Sequence, residues 1–210
     1  MTGDWVGDLP RRLAPEPSRG EKVALVLLSP DRRRARFSGL AVSSTYGPEA
    51  TARCSAQRCP VGGEHPAPHP AGTCGFHATT DDPLGWMLPE AALLEVELFG
   101  RIIRHERGWR ASRQRVLGAR FLRACMSCYA FAVDAVLVTA PAPMDQRALM
   151  VAPRCRRCAE AWRWPDVGET VSMADLAGLL GTEVSWAADA VTREVLRRAA
   201  GRRPPSRQAA

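Results

Sequence analysis

Two Cys-x-x-Cys pairs are the residues best suited to chemistry: "CMSC", with Cys125 and Cys128, and "CRRC", with Cys155 and Cys158. A thiolate is a soft anionic ligand, and two tight turns presenting two sulfurs each supply the tetrahedral four-sulfur set of a closed structural zinc site. The 26 residues between the pairs (129–154) exceed the ~15 to 20 of the compact spacing. A strand, the turn "APAPMD" and a returning strand use that length, so a hairpin is expected to bring the pairs together. A redox dithiol at Cys125 and Cys128 is the competing chemistry. It needs a helix start to lower a thiol pKa, whereas "YAFAVDAVLV" after Cys128 reads as strand.

The other three cysteines, Cys54, Cys59 and Cys74, lie in "CSAQRCPVGGEHPAPHPAGTC". Its Pro and Gly content excludes regular helix or strand. With His77 they form Cys-x4-Cys-x14-Cys-x2-His, a second expected site of three thiolates and one imidazole, with His65 or His69 as alternative fourth ligands. The segment is poor in core-forming residues, so a metal is expected to supply its ordering energy. Two zinc ions are the expected cofactors.

Neither set has the open coordination position and placed carboxylate of catalytic zinc. The deaminase pair His-x-Glu and Pro-Cys-x-x-Cys is missing, because Arg154 stands between Pro153 and Cys155; "HERGW" breaks His-Glu-x-x-His, and there is no Gly-x-Ser-x-Gly or phosphate loop. No catalytic residue is assigned, and the protein is expected to be a binding or regulatory module rather than an enzyme. A metal-dependent nuclease, the remote alternative, would need carboxylates or histidines around an open site.

The charge is uneven. Of 29 Lys+Arg, only Lys22 is lysine, and the formal net charge is +7. Residues 101–123 hold eight arginines against the single acid Glu106. "GRIIRHERGWRASRQR" therefore offers Arg101, Arg104, His105, Arg107, Trp109, Arg110, Arg113 and Arg115 as a nucleic-acid-binding set, guanidinium forks for phosphate and Trp109 for base stacking. An acidic protein partner is the alternative, which would make the chain an interaction adaptor. Seven thiolates holding two zinc ions lower the formal charge to about +4, basic without being extreme.

These residues must be positioned by short elements. "EKVALVLLS" (21–29) and "SGLAVSSTYGP" read as strands. Residues 93–118 form two extended halves around "HERG", a hairpin turning at Gly108. "SMADLAGLLG" has Ser172 as N-cap and Gly181 as stop, and "SWAADAVTREVLRRAA" is a second helix. The expected fold is α+β: small zinc-stabilised β-hairpin lobes of zinc-ribbon type with C-terminal helices. The expected organisation is a flexible tail over 1–20, a β-rich lobe over 21–118, a four-cysteine lobe with helices over 119–200, and a basic tail over 201–210. No apolar run reaches the roughly 18 to 20 residues of a membrane span and no signal-type segment opens the chain, so a cytoplasmic location with reduced thiols is expected. Neither a membrane nor a small-molecule substrate is expected as a partner.

"CGFHA" (74–78) and "ELFGRIIRHERGWRAS" (97–112) resemble a family of uncharacterised actinobacterial proteins with Cys-Gly-Ile-Tyr-Ala and Gly-Arg-Val-x-x-His-x-x-Gly-Tyr-Arg-Ala motifs. Gly100, Arg101, His105, Gly108, Arg110 and Ala111 fall in place, and Trp109 stands where the family has tyrosine. The resemblance spans about residues 41 to 117. Gly72 stands where family members tend to carry a further cysteine. The resemblance implies an actinobacterial origin and brings no activity.

Overall fold

A computed structural model describes residues 17–40, 45–54, 59–62, 64–142, 145–161 and 168–201. The strands are β1 (Ser18–Leu28), β2 (Ala35–Gly39), β3 (Thr45–Tyr46), β4 (Glu49–Thr51), β5 (Phe76–Thr79), β6 (Ala92–His105), β7 (Gly108–Phe121), β8 (Val136–Ala142), β9 (Asp145–Arg154), β10 (Thr170–Val171) and β11 (Glu183–Trp186). Among the described residues, three short α-helices accompany them: α1 (Arg156–Ala161), α2 (Met173–Leu180) and α3 (Asp189–Ala200). The fold is mostly β-sheet with few helices, and the helices lie towards the C-terminal end as expected. All eleven strands found among the described residues belong to one sheet. Strands on either side of the expected division at 118/119 share it, because β1 pairs with β9.

The hairpin β6–β7 is the spine. Apolar residues alternate along β6, and Leu94, Val96 and Leu98 are fully buried on one face, as the period of two demands. The same hairpin pairs outward with β1 through β6 and with β5 through β7. The short β5 then reaches β1 at Glu21↔Thr79. These pairings close a ring, β1–β6–β7–β5, whose interior holds Val26, Phe37, Leu94, Leu98 and Phe121 together with Leu176 and Leu180 of α2. Each such side chain contributes about 1.5–3 kcal/mol by leaving water, so the ring is the main apolar core.

Ring closure demands close backbone approach. A Cβ at Gly20 would sit 2.9 Å from the Thr79 carbonyl oxygen, and one at Gly108 (φ +152°) would overlap the Ala78 carbonyl oxygen. Gly108→Ala is expected to destabilise the protein by about 3 kcal/mol, the upper range for overpacking, and to shift the urea midpoint down accordingly. An unchanged midpoint would show that β5 yields without cost.

Both predicted helices form. In α2, Ser172 Oγ accepts from the Asp175 N–H at 3.0 Å, and Gly181 ends the helix in the left-handed conformation (φ 64°), the expected cap chemistry. α3 packs Val195 against Leu122 and Ala124, and Thr192 Oγ1 accepts from the Arg123 N–H at 3.2 Å. The expected strand directly after Cys128 does not form. Tyr129 is left-handed (φ 59°), its N–H donates to the Cys125 carbonyl at 2.8 Å, and β8 starts only at Val136. Of the expected N-terminal tail, residues 18–20 are strand and 1–16 lie outside the described residues, as do 202–210 of the C-terminal one. No helix among the described residues is long and apolar enough to cross a membrane.

Candidate metal centres

The two Cys-x-x-Cys pairs meet. The sulfurs of Cys125, Cys128, Cys155 and Cys158 all lie within 4.8 Å of one another, with 3.9 Å between Cys128 and Cys155. The first pair sits on a turn closed by the Cys125 N–H donating to the Ala130 carbonyl at 2.9 Å. The second pair straddles the start of α1, which the β8–β9 hairpin carries into place. A backbone bond from the Met126 N–H to the Pro153 carbonyl, 3.0 Å, ties one turn to the other. Cys125 is fully buried, while Cys128 is exposed.

The acidities of the clustered thiols are unequal. Burial pushes the Cys125 thiol up, but backbone N–H groups of Cys128, Cys155 and Ser127 outweigh it and hold the thiol at about 6. Cys158 goes the other way, pushed up to about 12 by the neighbouring Cys155 thiol and by burial. Four like charges cannot stand together unassisted, so protons stay on the neighbours of one thiolate. A bound cation would take the place of those protons.

A second cluster gathers Cys54, Cys59, His65 and Cys74, whose donor atoms also lie within 4.8 Å of one another. His65 Nε2 is 3.4 Å from both the Cys59 and the Cys74 sulfur. Its other nitrogen, Nδ1, faces the Gly62 carbonyl at 3.3 Å, which sets the tautomer that leaves Nε2 for a ligand role. Burial raises Cys54 to about 11 with help from the Cys59 and Cys74 thiols. Cys59 stays near 7 because, against its burial, the Val61 N–H, the Cys54 thiol and the Thr73 N–H favour the thiolate.

The histidine gathered with these three cysteines is His65, one of the two alternatives to His77. His77 Nε2 is committed 2.9 Å from the Thr73 carbonyl, and it lies on β5 opposite Arg110. His69 stacks edge-on against His65, ring centroids 5.1 Å apart, and its N–H donates to the Cys74 sulfur at 3.3 Å. Gly72 is buried against the cluster: a Cβ there would be 2.9 Å from the Cys59 sulfur.

The arginine hairpin divides into unlike parts. Arg110 is 4% exposed and His105 is 7% exposed, so neither faces a partner. Arg110 Nε donates to His105 Nε2 at 2.7 Å, which requires a neutral imidazole. Its guanidinium also donates to the Gly72, Cys74 (3.3 Å), His69 (3.4 Å) and Pro70 (3.5 Å) carbonyls. Burial lowers its pKa, against the pull of the Cys74 and Cys59 thiolates. Trp109 is half-buried against the ring core, with the Arg104 guanidinium 5.2 Å from its ring centroid. Arg107 pairs with Asp81 at 3.4 Å, and Arg115 pairs with Glu49 at 2.6 Å and Glu97 at 3.8 Å. Arg101, Arg104 and Arg113 remain as exposed cations, Arg113 lying 4.6 Å above Phe99.

Two residues matter more than their sequence context suggests. Arg110 sits between Trp109 and Ala111 on a strand face that alternation marks as outward; the loop over residues 69–74 covers it. Arg154 ends β9 directly before Cys155 and is fully buried. Burial lowers its pKa and the Cys125 and Cys158 thiolates raise it, so each candidate centre has a buried guanidinium in its field. No family model, curated protein or solved structure matches the chain.

Proposed function

We propose that the protein is a zinc-binding, non-enzymatic module of the cytoplasm that contacts nucleic acid through its hairpin. The observation that carries the metal reading is the convergence of two four-donor sets. Zn–S bonds of about 2.3 Å in a tetrahedron set sulfurs about 3.8 Å apart, and the Cys128–Cys155 separation is 3.9 Å. Both sets use every donor on the metal, the closed form of a structural site. The first is read as ribbon-like, two Cys-x-x-Cys turns joined through a β-hairpin.

Nucleic-acid contact is supported by the exposed guanidiniums of Arg101, Arg104 and Arg113 on one hairpin. Phosphate contacts of this kind are salt-dependent, with a slope of about −0.9 per contact on duplex DNA. Titration of a DNA duplex over a salt series is expected to show binding whose slope falls by about 2–3 in R101Q/R104Q/R113Q. R107Q and R115Q, which remove cations already paired to acids, are expected to change it less. No measurable affinity at low salt would overturn this reading.

The adaptor alternative is favoured by one observation. Tyr129 and Val133, 40% and 71% exposed, follow Cys128 closely in the chain, and a protein partner docking at that turn would cover them. A stable co-purifying protein without nucleic acid would favour it.

A further inference from the structure

The single lysine of the chain, Lys22, stands where a charge is least expected. Alternation along β1 places Ala24, Val26 and Leu28 in the ring core, and Lys22 shares their face of the strand. Its Nζ donates to Gln114 Oε1 at 3.2 Å. The same nitrogen lies 4.7 Å from the centre of the Tyr46 ring and 5.4 Å from that of Phe76, and the two rings stand edge to face 5.5 Å apart. Side chains from β1, β3, β5 and β7 therefore meet around one ammonium.

The polar atoms at this meeting point are donors short of an acceptor. An ammonium carries three N–H donors, and Gln114 Oε1 takes one of them. Gln114 Nε2, on the same amide as that oxygen, and the Tyr46 hydroxyl are buried with no hydrogen-bond partner among the described residues. Gln114 is 0% exposed and Tyr46 8%, while Lys22 and Phe76 are half-buried, so the cluster runs from the surface into the ring. Among the described residues no ion pair includes Lys22. Glu21, its neighbour in the chain, pairs with Arg120 instead. A charge drawn towards an apolar interior is costly unless it is paired and hydrogen-bonded.

We propose that this cluster binds the carboxylate of a small organic acid. The two oxygens of a carboxylate are acceptors only and have room for several donors, which suits the remaining N–H groups of Lys22, the Gln114 amide nitrogen and the Tyr46 hydroxyl together. One negative charge also matches one ammonium. A phosphate dianion would call for a second cation or a guanidinium fork, and a water molecule would accept from two donors while leaving the charge unneutralised. This assignment rests on neither the metal reading nor the nucleic-acid reading.

Having one lysine gives the test its probe. In the full-length protein made with carbon-13-labelled lysine, Lys22 contributes a single ε-methylene signal, followed by NMR as sodium acetate replaces sodium chloride at fixed ionic strength. The shift is expected to saturate, with an apparent affinity about fivefold weaker in Tyr46→Phe. Calorimetric titration of acetate is expected to give the same affinity for the wild type and a loss of about tenfold or more in Lys22→Met. Methionine places an apolar side chain on the core face, so this variant is expected to fold, which its thermal melt checks; Tyr46→Phe removes a hydroxyl alone and carries the test if it does not. A shift that rises without saturating, inorganic phosphate bound more tightly than acetate, or equal acetate binding by the wild type and both variants would overturn the proposal.

Discussion

Cys125→Ser is expected to lower the melting temperature by about 10–20 °C and to reduce the zinc content from two ions per chain to one. Among the seven cysteines Cys125 is the fully buried member of the four-sulfur set. Serine would leave a buried hydroxyl where three backbone N–H groups favour a thiolate. Loss of a buried, network-bound ligand costs about 5 kcal/mol, and a domain of this size shifts roughly 2–4 °C per kcal/mol. Cys128→Ser, at the exposed corner, is expected to lose the same ion with a smaller shift in melting temperature. A strong chelator, which strips both centres, should lower the melting temperature of the native chain at least as far as Cys125→Ser does. Thermal melting with elemental analysis checks these outcomes, and unchanged metal content in Cys125→Ser would remove the four-sulfur centre.

Arg110→Ala carries the second large effect, and a more selective one. One guanidinium holds carbonyls of Gly72, Cys74, His69 and Pro70 and also His105. Removing it leaves buried acceptors without their donor, at about 3–5 kcal/mol in total. It also removes a positive charge from beside the Cys59 and Cys74 thiolates. Outer-shell partners of this kind change metal affinity about 10- to 100-fold. Competition with a chromophoric chelator is therefore expected to show weakened binding at the Cys54, Cys59, His65 and Cys74 centre and unaltered binding at the four-cysteine centre. Arg110→Lys keeps the charge but not the fork, and should fall between wild type and alanine. If stability drops while both affinities hold, Arg110 is a packing residue alone.

Local features were legible from the chain because their causes are local. The Cys-x-x-Cys pairs, the turn at Gly108, and the Ser172 and Gly181 caps each depend on neighbouring residues, and each is found. The choice among His65, His69 and His77 was not legible, because all three are within reach by spacing. Only the turn that brings the Gly62 carbonyl to His65 Nδ1, and the Thr73 carbonyl that claims His77, separate them. The same limit hid Arg110: alternation marks its face of β7 as outward, and the covering loop arrives from some 40 residues earlier. The parallel pairing of β11 with β7 and the meeting of β1 with β9 likewise rest on distant partners. Nothing in the local pattern specifies them.

The shortness of β5 has a consequence for how the metal-free chain would fail. Four residues close the ring, they begin two positions after Cys74, and they touch β1 at a single pair. Without an ion at Cys74 the entry to β5 loses its anchor, and release of the strand would bare the outer rim of β7 from Gly108 to Ala111. Unpaired backbone of that kind recruits strands from other molecules. Zinc depletion is thus expected to produce oligomers joined rim to rim before it produces an unfolded monomer, so the ion at this centre guards solubility as much as shape.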